Sequence, residues 1–181
     1  MKKTLVFTIL LVTAGLLFVT GCTGNKVPLK GKFILSAAVS IQDTGLLDYL
    51  LPVFTQEKGW EADVITVDPA AALQMGRDGD ADVLLVHVKQ NEIQFVNDGY
   101  GIARYDIMYS NFSAVDPNQD TAVNYYGIIL VNPMLHPHTN VEGGLAFIEW
   151  LLSGRAQDLI GQYGEEEFGS ALFTPNASLL D

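Results

Sequence analysis

Val83-Leu84-Leu85-Val86 is a run of four branched apolar residues with no polar side chain among them. A half-exposed strand alternates apolar with polar. A short continuous apolar run belongs to a strand covered on both faces, as inside a parallel sheet. The flanks agree. Upstream, Arg77-Asp78-Gly79-Asp80 is a polar turn that closes a short alanine-rich helix over residues 70–76. Before that helix, residues 62–67 read as a strand. Downstream, residues 90–97 look helical, with Gly99 and Gly101 punctuating the end. Farther upstream, Phe33-Ile34-Leu35 reads as another buried strand. It is followed by a helix over residues 46–54 that Pro52 is expected to kink. Strands alternating with helices at this pace imply βαβ units and an α/β fold.

After Tyr100 the pattern changes. Residues 107–115 and 125–131 both read as strands, separated by the polar turn Asp116-Pro117-Asn118-Gln119-Asp120-Thr121. Two strands around a short loop predict a hairpin. Residues 141–152 and 155–163 predict two helices separated by Ser153-Gly154, and residues 168–181 form a mixed tail.

The lone cysteine of the chain, Cys22, ends the run Phe18-Val19-Thr20-Gly21-Cys22 behind Lys2, Lys3 and a long apolar stretch. This order matches a secretion signal ending in a lipoprotein processing site. Residues 5–20 are uncharged, so a retained membrane anchor is the alternative. The small residues before Cys22 and the polar Thr23-Gly24-Asn25 after it favour cleavage and lipidation. Residues 1–21 are then a signal peptide, residues 22–32 a tether and residues 33–181 one α/β lobe. Cys22 would carry palmitate-type acyl chains and hold the protein outside the cytoplasmic membrane. Cleavage removes two lysines and no acid, moving the net charge from −11 to −13. Such a surface argues against nucleic acid, and with Cys22 lipidated no thiol remains for disulfides, catalysis or metal.

The candidate chemistry is sparse. Ser36-Ala37-Ala38-Val39-Ser40-Ile41 links the first strand to the first helix, where an open α/β sheet places its ligands. Two readings stand. Backbone N–H groups around Val39, Ser40 and Ile41 would hold an oxyanion, or Ser40 caps the helix with Asp43 in the capping-box position. Asp68-Pro69 reads as an N-cap followed by a first-turn proline. His136-Pro137-His138 lacks the companions of a metal site and reads as a surface turn. His87 ends a strand with no identifiable acid or nucleophile beside it. Two readings stand for Arg104: it is the one basic residue near a strand that faces a cleft, or it is half of a surface ion pair. Glu165-Glu166-Glu167 reads as a solvated helix end. No residues assemble a nucleophile with its base and orienter, so no catalytic residue, cofactor or metal is assigned and the chain is read as a non-enzyme.

Several segments together resemble the tungstate-binding proteins of ABC transporters. Residues 40–52, SIQDTGLLDYLLP, look like their first ligand loop and helix, and residues 79–87, GDADVLLVH, like their third strand. Residues 126–133, YGIILVNP, with His136-Pro137-His138, resemble their return strand and next turn. Residues 173–177, FTPNA, are similar to their C-terminus. The resemblance implies one lobe of a type 2 periplasmic-binding-protein fold, with a mostly parallel sheet flanked by helices. Met108-Tyr109-Ser110-Asn111-Phe112 resembles the strand leaving for a second lobe, yet the return strand begins a short loop later. The second lobe is thus expected to be replaced by a hairpin, and its anion-binding arginine and Ser-Gly-Thr-like loop to go with it. The remaining loops depart as well: Ala37, Ala38 and Val39 stand where threonines are usual, and Asp68-Pro69-Ala70-Ala71 where a Gly-rich polar loop is. The resemblance therefore implies a lipid-anchored relative with lost or reduced binding of tungstate or molybdate that keeps a contact with a transporter permease. The alternative is a working receptor that completes its cleft as a homodimer or with a partner.

Overall fold

A computed structural model describes residues 27–111 and 123–177. The signal segment, Cys22 and the turn at 116–121 lie outside the described residues. Three strands, β1 (Gly31–Ala38), β2 (Trp60–Val67) and β3 (Val83–Val86), run parallel, with β1 between the other two. Each parallel crossover carries helix: α1 (Val39–Gln42) and α2 (Leu46–Lys58) after β1, then α3 (Pro69–Asp78) after β2. After β3 come α4 (Lys89–Asn97) and the strands β4 (Gly101–Ser110) and β5 (Tyr125–Val131). The chain continues through α5 (Val141–Leu152), α6 (Gly154–Gln162), α7 (Glu165–Phe168) and β6 (Phe173–Pro175). The six strands form one sheet in the order β2-β1-β3-β5-β4-β6.

The single α/β lobe matches expectation, and Val83 to Val86 are all buried. The sheet is mixed where the sequence predicts a mostly parallel one. Two pairings are parallel, and three (β3–β5, β4–β5 and β4–β6) are antiparallel. The cause is the hairpin: β5 turns straight back along β4, with Tyr109 opposite Tyr125, and enters beside β3 in reverse. The tail then pairs with β4 through three residues, too few to show as a period in sequence.

Each face of the sheet has its own apolar layer. On one, Phe33 of β1 packs with Phe54 of α2 and with Phe147 of α5, and Trp150 of α5 closes the cluster. Each such aromatic pair adds about 0.5–1.5 kcal/mol beyond its buried area. The Trp150 indole N–H donates to Glu57 at 2.7 Å, which satisfies its polar end. On the other face, Leu73 of α3 and Phe95 of α4 cover Leu84, Ile129 and Val131. Pro52 sits inside α2, which runs on to Lys58 and stops at left-handed Gly59. Among the described residues no helix is long and apolar enough to cross a membrane.

Candidate functional site

Because β1, β2 and β3 are parallel, their carboxyl ends share one edge of the lobe, marked by Ala38, Val67 and Val86. The chain leaves β1 directly into α1, whose N-cap is Ala38 and has no side-chain cap. The first N–H groups of a helix lack intrahelical acceptors. Around them the side chains offer little. Val39 is 42% exposed, Ser40 is half-buried and Ile41 is fully buried in the core.

Ser40 does not form the capping box. Its Oγ lies 3.3 Å from the Tyr126 hydroxyl on β5. The start of α2 is set instead by left-handed Gly45 and by Thr44, whose Oγ1 donates to the Ile41 carbonyl at 2.7 Å and accepts from Leu46 N at 3.3 Å. Tyr126 is buried, and burial raises its hydroxyl pKa, while hydrogen bonds to Ser40 and Asn124 pull it back. The His87 ring meets Tyr126 edge-on at 5.2 Å. The structure thus brings Ser40, Tyr126 and His87 together at the mouth of the sheet. Sequence spacing gave no hint of this, since the Ser40–Tyr126 contact spans 86 residues.

Asp68 behaves as read. Its Oδ1 accepts from Ala70 N and Ala71 N, both at 3.0 Å, with Pro69 at the first helical position. The N-terminus of α3 is therefore occupied by its own carboxylate and would repel an anion. His136-Pro137-His138 lies in a turn, as expected, with His138 Nε2 2.8 Å from the Gly79 carbonyl. Among the described residues no group of three potential ligands could hold a metal. Glu165, Glu166 and Glu167 are exposed at the first turn of α7.

Arg104 is corrected. It is not a surface residue: its side chain is only 8% exposed. Nε donates to the fully buried carboxylate of Glu92, and Nη1 donates to Asp106 at 2.7 Å. Lys89 reaches Asp106 at 3.2 Å, so a charge chain runs from solvent into the α4 face. Glu92 also accepts from Val88 N. Burial raises the Glu92 pKa against the opposing pull of Arg104. Burial also pushes Asp106 up, but Arg104 and Lys89 outweigh it and hold its pKa below the usual value. Arg104 is thus committed to carboxylates within the lobe. One signal was readable: Val88, Glu92, Phe95 and Val96 share a helical stripe, and an acid on an apolar stripe needs a buried cation.

His87 gives a pH test. Burial lowers its pKa below the ordinary 6.5. A depressed folded-state value means stability present above about pH 6.5 and lost as pH falls through the folded value. We expect His87→Phe, which keeps a ring against Tyr126, to flatten the acid-side fall in Tm relative to the parent. Parallel melts at pH 7 and pH 5 measure it. An unchanged slope would sink the assignment. Comparison with the parent is required because Glu92 acts in the opposite sense.

No family model matches the chain. The tungstate-binding protein TupA of Peptoclostridium acidaminophilum is 32% identical over 270 aligned positions, covering 90% of this chain and 94% of that protein. The chain has 181 residues, so a large part of that alignment stands opposite no residue of it. The TupA of Campylobacter jejuni is 42% identical over 73 residues, 40% of this chain and 27% of that protein. Among solved structures, the tungstate-binding protein TupA of Desulfovibrio alaskensis superposes with a TM-score of 0.72 at 21% identity, over 84% of this chain and all of that one. That of the tungstate ABC transporter from Geobacter sulfurreducens gives 0.64 at 22% identity, over 73% of this chain and 98% of that one. The two structures share the fold. The Peptoclostridium relative, with an alignment spanning nearly its whole length, places the chain in the TupA family of tungstate-binding proteins.

Proposed function

We propose that this chain is a lipid-anchored, single-lobed relative of the tungstate receptors, held outside the cytoplasmic membrane through Cys22, with lost or strongly reduced oxyanion binding. It acts at a transporter permease as a binding partner and performs no catalysis. One observation carries the reading: at the carboxyl edge of β1 to β3, the one side-chain hydroxyl among residues 37–41, that of Ser40, already faces Tyr126, between exposed Val39 and buried Ile41. Tight anion capture needs several charge-assisted hydrogen bonds in an enclosed site. Each lost one costs roughly 1.5–3 kcal/mol. Losing three weakens affinity by roughly three to six decades at about 1.4 kcal/mol per decade.

The test is thermal unfolding of the chain from Thr23 onward while tungstate, molybdate and sulfate are titrated. A ligand at 100 times its Kd adds about 2.7 kcal/mol. We expect one cooperative transition that none of the three moves. A tungstate-selective rise in Tm would overturn the proposal.

A second reading, in which two copies close the cleft, is favoured by exposed apolar residues around the hairpin: Val123 at 46%, Tyr125 at 45% and, on α1, Val39 at 42%. A monomer by sedimentation equilibrium, with or without tungstate, removes it.

A further inference from the structure

The edge of the sheet formed by β2 carries features that oxyanion capture does not use. β2 is eight residues long and pairs with β1 residue for residue from Gly31↔Trp60 to Ala38↔Val67, without a bulge. It ends the strand order, so among the described residues its outer side has no strand neighbour. Proteins usually blunt such an edge with a proline, a bulge, a lysine or a short strand. Trp60-Glu61-Ala62-Asp63-Val64-Ile65-Thr66-Val67 has no proline, bulge or lysine, and its only charged side chains are the acids Glu61 and Asp63. Only Trp60 is fully buried, and Ile65 is 39% exposed.

A groove of about 770 Å³ runs beside the amino-terminal half of this edge, larger than the hollow between Tyr49 and α7. Leu29, Leu51 and Pro52 supply its apolar lining, and Asp48, Glu61 and Asp63 supply acid. The one base there, Lys32, is already tied to Glu61 at 3.3 Å and Asp63 at 3.2 Å. The balance along the groove is negative, as it is for the chain as a whole.

We propose that β2 is a docking edge for an extended basic segment of another protein, which adds to the sheet as a seventh strand. Its backbone satisfies the outer N–H and C=O groups of β2. Alternate side chains of such a strand point to opposite faces. A segment alternating lysine or arginine with a small apolar residue thus sets its cations toward Glu61 and Asp63 on one face and its apolar residues toward Leu51 and Pro52 on the other. Strand addition of this kind draws affinity from main-chain bonds and selectivity from the alternating side chains. A second copy of this acidic chain would bring acid to acid and is disfavoured.

The probe is an eight-residue capped peptide alternating valine with lysine, titrated into the purified chain by fluorescence anisotropy. Hydrogen exchange of residues 60–67 is followed in parallel. Saturable binding is expected, with slowed exchange across β2. A valine–glutamate peptide should not bind. Methylating alternate backbone nitrogens of the lysine peptide keeps its charge but removes donors, and should weaken binding at least tenfold. The exposed double variant Glu61→Lys, Asp63→Lys should weaken it similarly. No saturation by the lysine peptide, or equal binding of the methylated peptide, overturns the proposal. So does β2 already protected in a dimer of the chain alone, which would make the edge an interface between copies.

Discussion

Gly127→Ala should lower stability by about 4 kcal/mol, the scale for breaking a buried ion pair. Gly127 lies on β5 between Val86 of β3 and Asp106 of β4. A β-carbon there would stand 2.6 Å from Arg104 Nη2 and 2.7 Å from Cζ, and would overlap the Glu92 carboxylate. None of these atoms can yield cheaply. Glu92 is fully buried, and both it and Arg104 already hold partners. One methyl group therefore forces the ion pair apart and leaves at least one buried charge without its counterion. For a domain of this size, about 4 kcal/mol corresponds to a Tm fall of roughly 8–16 °C. Gly154→Ala is the control. Nothing lies within 4 Å of a β-carbon at Gly154, the first residue of α6, and its effect should be within about 1 kcal/mol and stabilising. Equal behaviour of the two variants in thermal and denaturant melts would show that the Glu92–Arg104 pair has room to move.

The same cluster explains where sequence reasoning stopped. Val83-Leu84-Leu85-Val86 was legible because burial on both faces removes every polar side chain, leaving an uninterrupted pattern. The start of β4 was not. Its first residues, Gly-Ile-Ala-Arg-Tyr-Asp, carry two charges and a glycine, and the strand reading starts only at residue 107. The strand begins at Gly101 because Arg104 and Asp106 are answered by Glu92 and Lys89. Local polarity says loop; a tertiary ion pair makes it strand. Ser40 failed similarly. Its spacing to Asp43 fits a cap, but Tyr126 takes the hydroxyl across the sheet and Thr44 organises the turn. Asp68 succeeded because its partners are two and three residues away, where sequence spacing is geometry. The family was legible because its loops and strands keep recognisable segments, and the hairpin because β5 follows β4 after a short polar stretch.

Asp82→Ala should be nearly as damaging as Gly127→Ala, at the opposite end of the sheet. Asp82 is 7% exposed and stands just before β3. Its Oδ2 accepts from Ile34 N of β1 at 2.7 Å, and its Oδ1 accepts from Asn140 N at 2.7 Å. Asn140 caps α5 through Gly143 N at 3.0 Å and donates its side-chain nitrogen to the Lys32 carbonyl at 2.6 Å. One carboxylate thus fixes where β1 lies against β3 and where α5 begins. Alanine leaves two backbone donors without acceptors at about 1–3 kcal/mol each, or roughly 2–6 kcal/mol together. Asp82→Asn discriminates the mechanism. An amide accepts on one oxygen and presents a donor on the other side, so one backbone N–H would face an N–H. Asparagine should therefore recover less than half of the alanine loss, although its shape is almost unchanged. Full recovery by asparagine in equilibrium urea unfolding would mean that the side chain acts by filling space rather than by accepting two hydrogen bonds. Because α5 carries Phe147 and Trp150 onto the β1 face, loosening its first turn should also expose tryptophan. A red shift of emission at denaturant concentrations below the main transition is the expected sign.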